Sequence, residues 1–254
     1  MCTIVVLLRP GQPWPVLIAA NRDEMLERPW KPPAEHWPDR PGVVAGLDVL
    51  AGGSWLGINR EGVVAAALNR RHSLGPQTGM RSRGELVLEA LDHADAANAA
   101  EALSAIDPTA YRTFNFVVAD NSGGFWLRNL GTDGPGKVEP FPLAAGMSMI
   151  TAFDLNDPAS LRIRDNLPRF QAAALPDPDS GDWGAWQALL ARRSDGKSEI
   201  EHEGDMCVVT DRGFGTSSSS LIALPSPQKL GVRPIWLFAP GRPDRTPFAP
   251  VPLR

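Results

Sequence analysis

Apolar residues open the chain in a short unbroken run, Thr3 to Leu8. They return after Gly11-Gln12-Pro13-Trp14-Pro15 in a second run, Val16 to Ala20. Two β-rich runs around a Gly/Pro turn predict a hairpin. That hairpin carries Asn21-Arg22-Asp23-Glu24, four polar residues directly after the second strand, back toward residue 2. A second pair of runs, 52–58 and Val63 to Leu68, flanks Asn59-Arg60-Glu61-Gly62, whose Asn start and Gly end suit a tight turn, and gives way to a loop at Asn69. Between the two hairpins, Arg28 to Gly42 holds five prolines. Proline cannot donate to a sheet ladder, so a surface loop or flap is expected there.

The period then changes. After a polar loop from Arg71 to Met80, Ser82 and Glu85 stand three apart in a capping-box pattern, and Leu86, Val87, Ala90 and Leu91 supply a helical stripe. A second helix is expected from Ala96 to Ile106, capped by Asp95 and stopped at Asp107-Pro108. Strands at Thr113 to Ala119 and Phe125 to Leu130 flank Asp120-Asn121-Ser122-Gly123-Gly124, another hairpin, with two more strands at Lys137 to Phe141 and Leu143 to Thr151. A second pair of helices follows. One begins at Asn156-Asp157-Pro158 and is kinked or ended by Pro168; the other is capped by Asp182 and runs to Arg193, with Trp183, Trp186, Leu189 and Leu190 spaced for burial. Lys197 to Gly204 reads as a loop. Strands resume at Met206 to Thr210, Thr216 to Leu224 and Gly231 to Ala239, and the Pro/Arg-rich tail beyond Pro240 is expected to lie over the surface.

Helices arriving in pairs between runs of hairpin-linked strands predict an α+β fold, a four-layer αββα sandwich of two mainly antiparallel sheets. A doubly wound parallel sheet would need strict strand-helix alternation. That alternation is absent, as are the GxGxxG and phosphate-loop patterns. No linker divides the 254 residues, so one domain is expected over 1–254.

Composition narrows the partners more than the fold. The net charge is -4 with both signs interspersed and no run of Lys or Arg, so nucleic acid is not an expected partner. The opening apolar run is too short for a signal-peptide core, and no segment approaches the ~20 apolar residues of a transmembrane helix. A cytoplasmic protein without a transmembrane segment is expected. Cys2 and Cys207, far apart, do not make a disulfide framework, and His36, His72, His93 and His202 have no metal-ligand spacing. No metal is therefore expected, and none of these features fixes an oligomeric state.

Cys2 is the chemically distinctive residue. At the head of a buried strand, a cysteine is ordinarily a small hydrophobe. If Met1 is removed, however, thiol and α-amine share one residue, and an amine of pKa roughly 7.7–8.0 acts as a base near neutral pH. Asn21 to Glu24 and Asn69 then become candidate site residues, each with an ordinary alternative as a solvated strand end or turn residue.

Met1-Cys2-Thr3-Ile4-Val5, Ala20-Asn21-Arg22-Asp23-Glu24, Arg28-Pro29, the stretch Ala51 to Asn59 that reads Ala-Gly-Gly-Ser-Trp-Leu-Gly-Ile-Asn, Leu68-Asn69 and Ser82-Arg83-Gly84 together resemble the NRDE family, which includes homologues of transport and Golgi organisation protein 2. The match is dense over roughly the first 85 residues. The resemblance implies an N-terminal nucleophile hydrolase fold and, more distantly, a likeness to cholylglycine hydrolases and penicillin V acylases. It makes Cys2 the nucleophile, gives Arg22 and Asp23 the task of holding its amine and thiolate, and makes Asn69 an oxyanion donor, as acyl transfer requires. Asn21, Glu24, Trp55 and Asn59 fall in the same motifs and are candidate substrate-binding residues. Two positions depart from the family pattern: Met149 follows Gly146-Met147-Ser148 where an Asn is common, and Ser217 stands where Gly-Thr-Arg-Ser-Ser would place an arginine.

Three functional readings follow. In the first, the chain is an amidohydrolase or acyl-transfer protein for a small-molecule amide, requiring no cofactor. In the second, which the resemblance alone supplies, it carries haem as cargo without hydrolytic activity. The third is an enzyme-shaped scaffold with no chemistry.

Overall fold

The computed structural model describes residues 2–193 and 201–253. They divide into two compact units, one built from 2–28 and 144–251, the other from 29–143 and 252–253. Each unit is an antiparallel sheet with a pair of α-helices, so the chain is α+β.

The first unit holds β1 (Thr3–Leu8), β2 (Val16–Met25), β10 (Gly146–Ile150), β11 (Phe214–Leu224), β12 (Ile235–Ala239) and β13 (Ala249–Pro250), in the order β10-β1-β2-β11-β12-β13. The first hairpin pairs Thr3 with Asn21 and Leu8 with Val16. Strand β2 does not stop at Ala20, as its apolar run suggested. It continues through the polar residues to Met25, because β11 supplies a ladder partner at each step. Among the described residues that ladder has one irregularity, between Thr216 and Ser218, where Ser217 is an extra residue bulged out of register.

Alternation along the strands sends Val5, Leu7, Leu17, Ala19, Met149, Leu221 and Ala223 to one face. There they pack with Ile163 and Phe170 of α3 (Leu161–Ala172) and Trp186 and Leu190 of α4 (Gly184–Leu190). Helix α3 starts three residues later than expected, at Leu161 and not at Pro158. Asn156 adopts φ 56° and closes a turn onto β10, accepting from the Met149 N–H at 2.7 Å and donating its own N–H to the Met149 carbonyl at 2.9 Å. Ser160 supplies the cap instead, and Pro168 is accommodated inside the helix. In α4 the cap position is Trp183, and Asp182 accepts from the Gly184 N–H just ahead of it at 3.0 Å. The expected strand at Met206 to Thr210 is a single bridge, Val209 with Gly215, whereas the tail adds β13 to the sheet edge through Leu237 and Phe238. The expected loop at Lys197 to Gly204 falls partly outside the described residues; 201–204 form one 3-10 turn.

The second unit is a sheet in sequence order: β3 (Trp30–Ala34), β4 (Val44–Asp48), β5 (Leu56–Ile58), β6 (Val64–Asn69), β7 (Phe114–Asp120), β8 (Gly123–Asn129) and β9 (Glu139–Pro142). The proline-rich stretch therefore contains a strand. It is tolerated because β3 is an edge, and Pro32 and Pro33 sit where the register slips between Lys31 and Ala34. Helices α1 (Gly84–Leu91) and α2 (Ala96–Ser104) cover this sheet through Leu86, Val87, Ala90, Ala99 and Leu103. The capping box at α1 does not form. Glu85 is held by Arg81 at 2.6 Å and Ser82 accepts from the Gly84 N–H, so neither side chain makes the reciprocal bond. Asp95 caps α2 as expected, accepting from the Asn98 N–H at 2.8 Å.

Candidate active site

The pairing of Thr3 with Asn21 brings Cys2 to the Arg22-Asp23 step of β2. Cys2 is half-buried, and its Sγ lies 3.4 Å from both backbone groups of Asp23, donating to the carbonyl and facing the N–H as acceptor. Loss of hydration raises the thiol pKa most, and the Asp23 charge raises it further; the Asp23 N–H and the Arg22 guanidinium work in the opposite direction without cancelling these effects. The resting group is therefore a protonated thiol. A base must remove its proton before it can attack a carbonyl.

Asp23 meets the thiol with its backbone and turns its carboxylate to the helix-covered face. There Arg162 Nη1, from the first turn of α3, donates to Oδ2 at 2.8 Å, and Thr216 Oγ1 donates to Oδ1 at 2.7 Å. The same Arg162 nitrogen donates to Thr3 Oγ1 at 2.8 Å. The ion pair is enclosed, with side-chain exposures of 5% for Arg162 and 0% for Asp23. Burial pushes the carboxyl pKa up, but the positive charge of the chain's α-amine, then that of Arg162, and the hydrogen bonds from Thr216 and Arg162 outweigh it and hold Asp23 below the usual range.

Arg22 points the other way along the strand alternation. Its Nη1 donates to Ser217 Oγ at 3.0 Å, and Ser217 Oγ in turn bonds the Arg22 carbonyl at 3.2 Å. The bulge is what aims Ser217 at this side chain. Glu24 stands 3.9 Å from both Arg22 and Arg28. Asn21 is saturated: its amide donates to the carbonyls of Leu190 at 3.0 Å and Met206 at 2.8 Å, and its oxygen accepts from Ser219 at 2.6 Å. It ties α4 and the 206 segment to the sheet.

Cys2, Asn21, Arg22, Asp23 and Glu24 are thus gathered in the first unit, while Trp55, Asn59 and Asn69 belong to the second. Asn69 is the last residue of β6, opposite Phe114. Trp55 packs edge-on against Trp30, their centroids 5.7 Å apart, and lies over Gly46, where any Cβ would collide with the indole. Asn59 makes four bonds of its own. It donates to the carbonyls of Leu91 and His93 at the end of α1, at 2.9 and 2.7 Å, and accepts from the N–H groups of Glu61 and Val63 at 3.0 and 2.9 Å.

Arg162 is a site residue outside the sequence motifs. A usable signal was present: 162, 163, 166 and 170 share a helical face, and two of them, Arg162 and Asn166, are polar on a stripe completed by Ile163 and Phe170. A charge on a buried stripe requires a partner. Met149, one of the two departures, packs in the helix-side core opposite Val5. Cys207 is a free, buried thiol whose Sγ lies 3.4 Å from Asp244 Oδ1, and burial followed by the Asp244 charge pushes its pKa up to about 11. Among the described residues no group of three or more His, Cys, Asp or Glu is arranged to hold a metal ion, and no helix is long and apolar enough to cross a membrane.

Solved structures share this architecture. The mutant C2A conjugated bile acid hydrolase of Clostridium perfringens matches at TM-score 0.52 and 12% identity, covering 100% of this chain and 97% of that one. The Caenorhabditis elegans ortholog of N-acylethanolamine-hydrolyzing acid amidase matches at 0.52 and 14%, covering 99% and 100%. Penicillin V acylase from Agrobacterium tumefaciens matches at 0.51 and 14%, covering 94% and 83%. The chain therefore has the N-terminal nucleophile hydrolase type of α+β fold. The model of the Transport and Golgi organisation 2 family matches residues 1–159, and the chain belongs to that family. It is similar to the Transport and Golgi organization protein 2 homologs of Bos taurus, at 37% identity over 139 residues (52% of this chain, 48% of the relative), and of Homo sapiens, at 37% over 113 residues (42% and 39%). The chain spans about half or less of the length of these curated relatives.

Proposed function

We propose that the chain is an N-terminal cysteine amidohydrolase or acyl-transfer protein for a small-molecule amide. The observation that carries this reading is the placement of the Cys2 thiol at the head of β1, held at 3.4 Å by both backbone groups of Asp23. The fold shared with amide-cleaving enzymes supports it further.

In the proposed chemistry, removal of Met1 frees the α-amine of Cys2, which takes the thiol proton. The thiolate sulfur bonds to the substrate carbonyl carbon, and the carbonyl electron pair moves to oxygen. We assign the oxyanion donor to Asn69 on the family resemblance alone. Collapse of the tetrahedral species breaks the C–N bond, with the ammonium returning its proton to the departing amine. Water then adds to the thioester, the α-amine again taking the proton, and the acid leaves as Cys2 regains its thiol. The raised thiol pKa makes a base obligatory, and in the proposed chemistry the freed amine of the same residue serves.

Intact-mass measurement on the purified protein, followed by incubation with N-acyl amides of graded chain length, tests this. The expected result is loss of Met1 and a mass increase equal to the acyl group, absent in Cys2→Ala. Retained Met1, or acyl transfer that survives Cys2→Ala, would sink the reading.

A further inference from the structure

The strongest unassigned feature of the first unit is that one guanidinium nitrogen spans two strands. Arg162 Nη1 donates to Thr3 Oγ1 and to Asp23 Oδ2, each at 2.8 Å. Thr3 is the residue after the thiol, and Asp23 is the residue whose backbone N–H and carbonyl face it. Both strands that position Cys2 are therefore fastened by a single side chain from α3. The bond to Asp23 also sets the charge beside the thiol. The Asp23 carboxylate repels a thiolate even as it stands, and Arg162 sets a positive charge against it that offsets part of that repulsion.

A purely structural role explains these contacts poorly. A buried ion pair of this kind contributes little to stability compared with apolar packing of the same volume, and α3 already has Ile163 and Phe170 to anchor it. What apolar packing would not supply is an Asp23 held in one orientation beside the sulfur with its charge partly offset.

We propose that Arg162 is a positioning residue for Cys2, acting through Asp23 and Thr3 to hold the thiol in place and to keep its thiolate accessible. This rests on the cysteine chemistry proposed above. Arg22 of β2 faces the thiol, with Glu24 beyond it, and the charge of the chain's α-amine acts on it as well; the Asp23 carboxylate acts from the helix-covered side, where Arg162 of α3 donates to it and to the Thr3 hydroxyl of β1, and Thr216 of β11 donates to it.

The test follows the rate of Cys2 alkylation by iodoacetamide against pH, with the site read by mass. It uses full-length protein of verified N-terminus as wild type, Arg162→Lys, Arg162→Met, Asp23→Asn and Asp23→Asn/Arg162→Met, with near-UV circular dichroism reporting the fold. Arg162→Met should raise the midpoint by about one pH unit, roughly a tenfold loss of thiolate at neutral pH. Lysine, which can bridge the same two oxygens as a point charge, should keep the midpoint near that of wild type. In the Asp23→Asn background, removing Arg162 should shift it by no more than a few tenths.

Equal shifts with and without Asp23, no shift in folded Arg162→Met, or Lys acting like Met would overturn the proposal. Should Arg162→Met not fold, Arg162→Gln and Asp23→Asn/Arg162→Gln take its place: a midpoint raised in the former relative to wild type, with no matching shift in the latter relative to Asp23→Asn, supports the proposal, and no shift, or one that persists without Asp23, overturns it. The readout needs no substrate. Absence of acyl transfer in wild type would therefore count against the proposed function while leaving this measurement intact, and an Arg162-independent midpoint would count against the positioning role alone.

Discussion

Arg162 meets Asp23 across 2.8 Å although 139 positions separate them in sequence, and both side chains are withdrawn from water. A pair of this kind is asymmetric in its energetics: removing one partner strands the other as a buried charge.

Arg162→Met and Asp23→Asn should therefore each lower the unfolding free energy substantially, Arg162→Met by about 3–5 kcal/mol and Asp23→Asn by somewhat less, since the one amide oxygen still accepts from Arg162 while the NH2 group turns to the Thr216 hydroxyl. The double variant should cost less than the sum, because the charge that each single change strands is absent from it. Chemical denaturation of the four proteins checks this, and strict additivity would mean that the pair does not act as a unit.

Asp23 also sets an acid limit, through the α-amine charge, Arg162 and its hydrogen bonds together. Asp23 has a folded-state pKa below its unfolded value, so its contribution is fully present above the unfolded pKa of ~3.9 and is lost as pH falls through the folded one. The wild-type urea midpoint should fall as pH drops below about 4, and in Asp23→Asn this part of the decline should be missing. Midpoints measured from pH 2 to 6 compare the two curves.

Legibility in the sequence followed local chemistry. The hairpin of β1 and β2, the Asp95 cap and the Asn59-Gly62 turn were readable because the residues that make them are neighbours in the chain. Strand β3 was hidden because proline argues against a ladder unless the strand is known to be an edge, and edges are settled by the whole sheet. Asn156 resembled a helix cap until β10 was there for it to bond. Within the candidate site, Cys2 and the Asn21 to Glu24 stretch stood out by residue type and by a pairing only some twenty residues long. Arg162, Thr216 and Ser217 reach them from distant elements, through a helix face and a bulge that no single stretch of sequence displays. The carboxylate of Asp23 carried the opposite lesson, since it is the backbone of that residue that faces the thiol.

The two thiols should separate cleanly in reactivity. Cys207, with a pKa pushed up to about 11, is only about one part in a thousand thiolate at pH 8, and it is buried as well. Short exposure of native protein to iodoacetamide at pH 8 should modify Cys2 and leave Cys207 unmodified, with Cys207 reacting only after denaturation. Peptide mapping reads both sites. Native labelling of Cys207 at a rate comparable to Cys2 would contradict its enclosure beside Asp244.

Two asparagines from the same stretch of sequence should fail in different ways. Asn59 spends its whole side chain on the end of α1 and on its own turn, so Asn59→Ala leaves the carbonyls of Leu91 and His93 and the N–H groups of Glu61 and Val63 without these partners. Each stranded buried group costs about 1–3 kcal/mol, moderated where water can reach it, and the sum should appear as a lower thermal midpoint. Asn69, at the end of β6, is the residue assigned to the oxyanion, so Asn69→Ala should change the thermal midpoint little and reduce acyl transfer by about 10²–10³. Measuring melting temperature and acylation rate on both variants gives four numbers with opposite patterns. If Asn69→Ala instead lowers stability and leaves acylation intact, the oxyanion assignment is wrong, and the donor must be sought among the backbone N–H groups around Cys2.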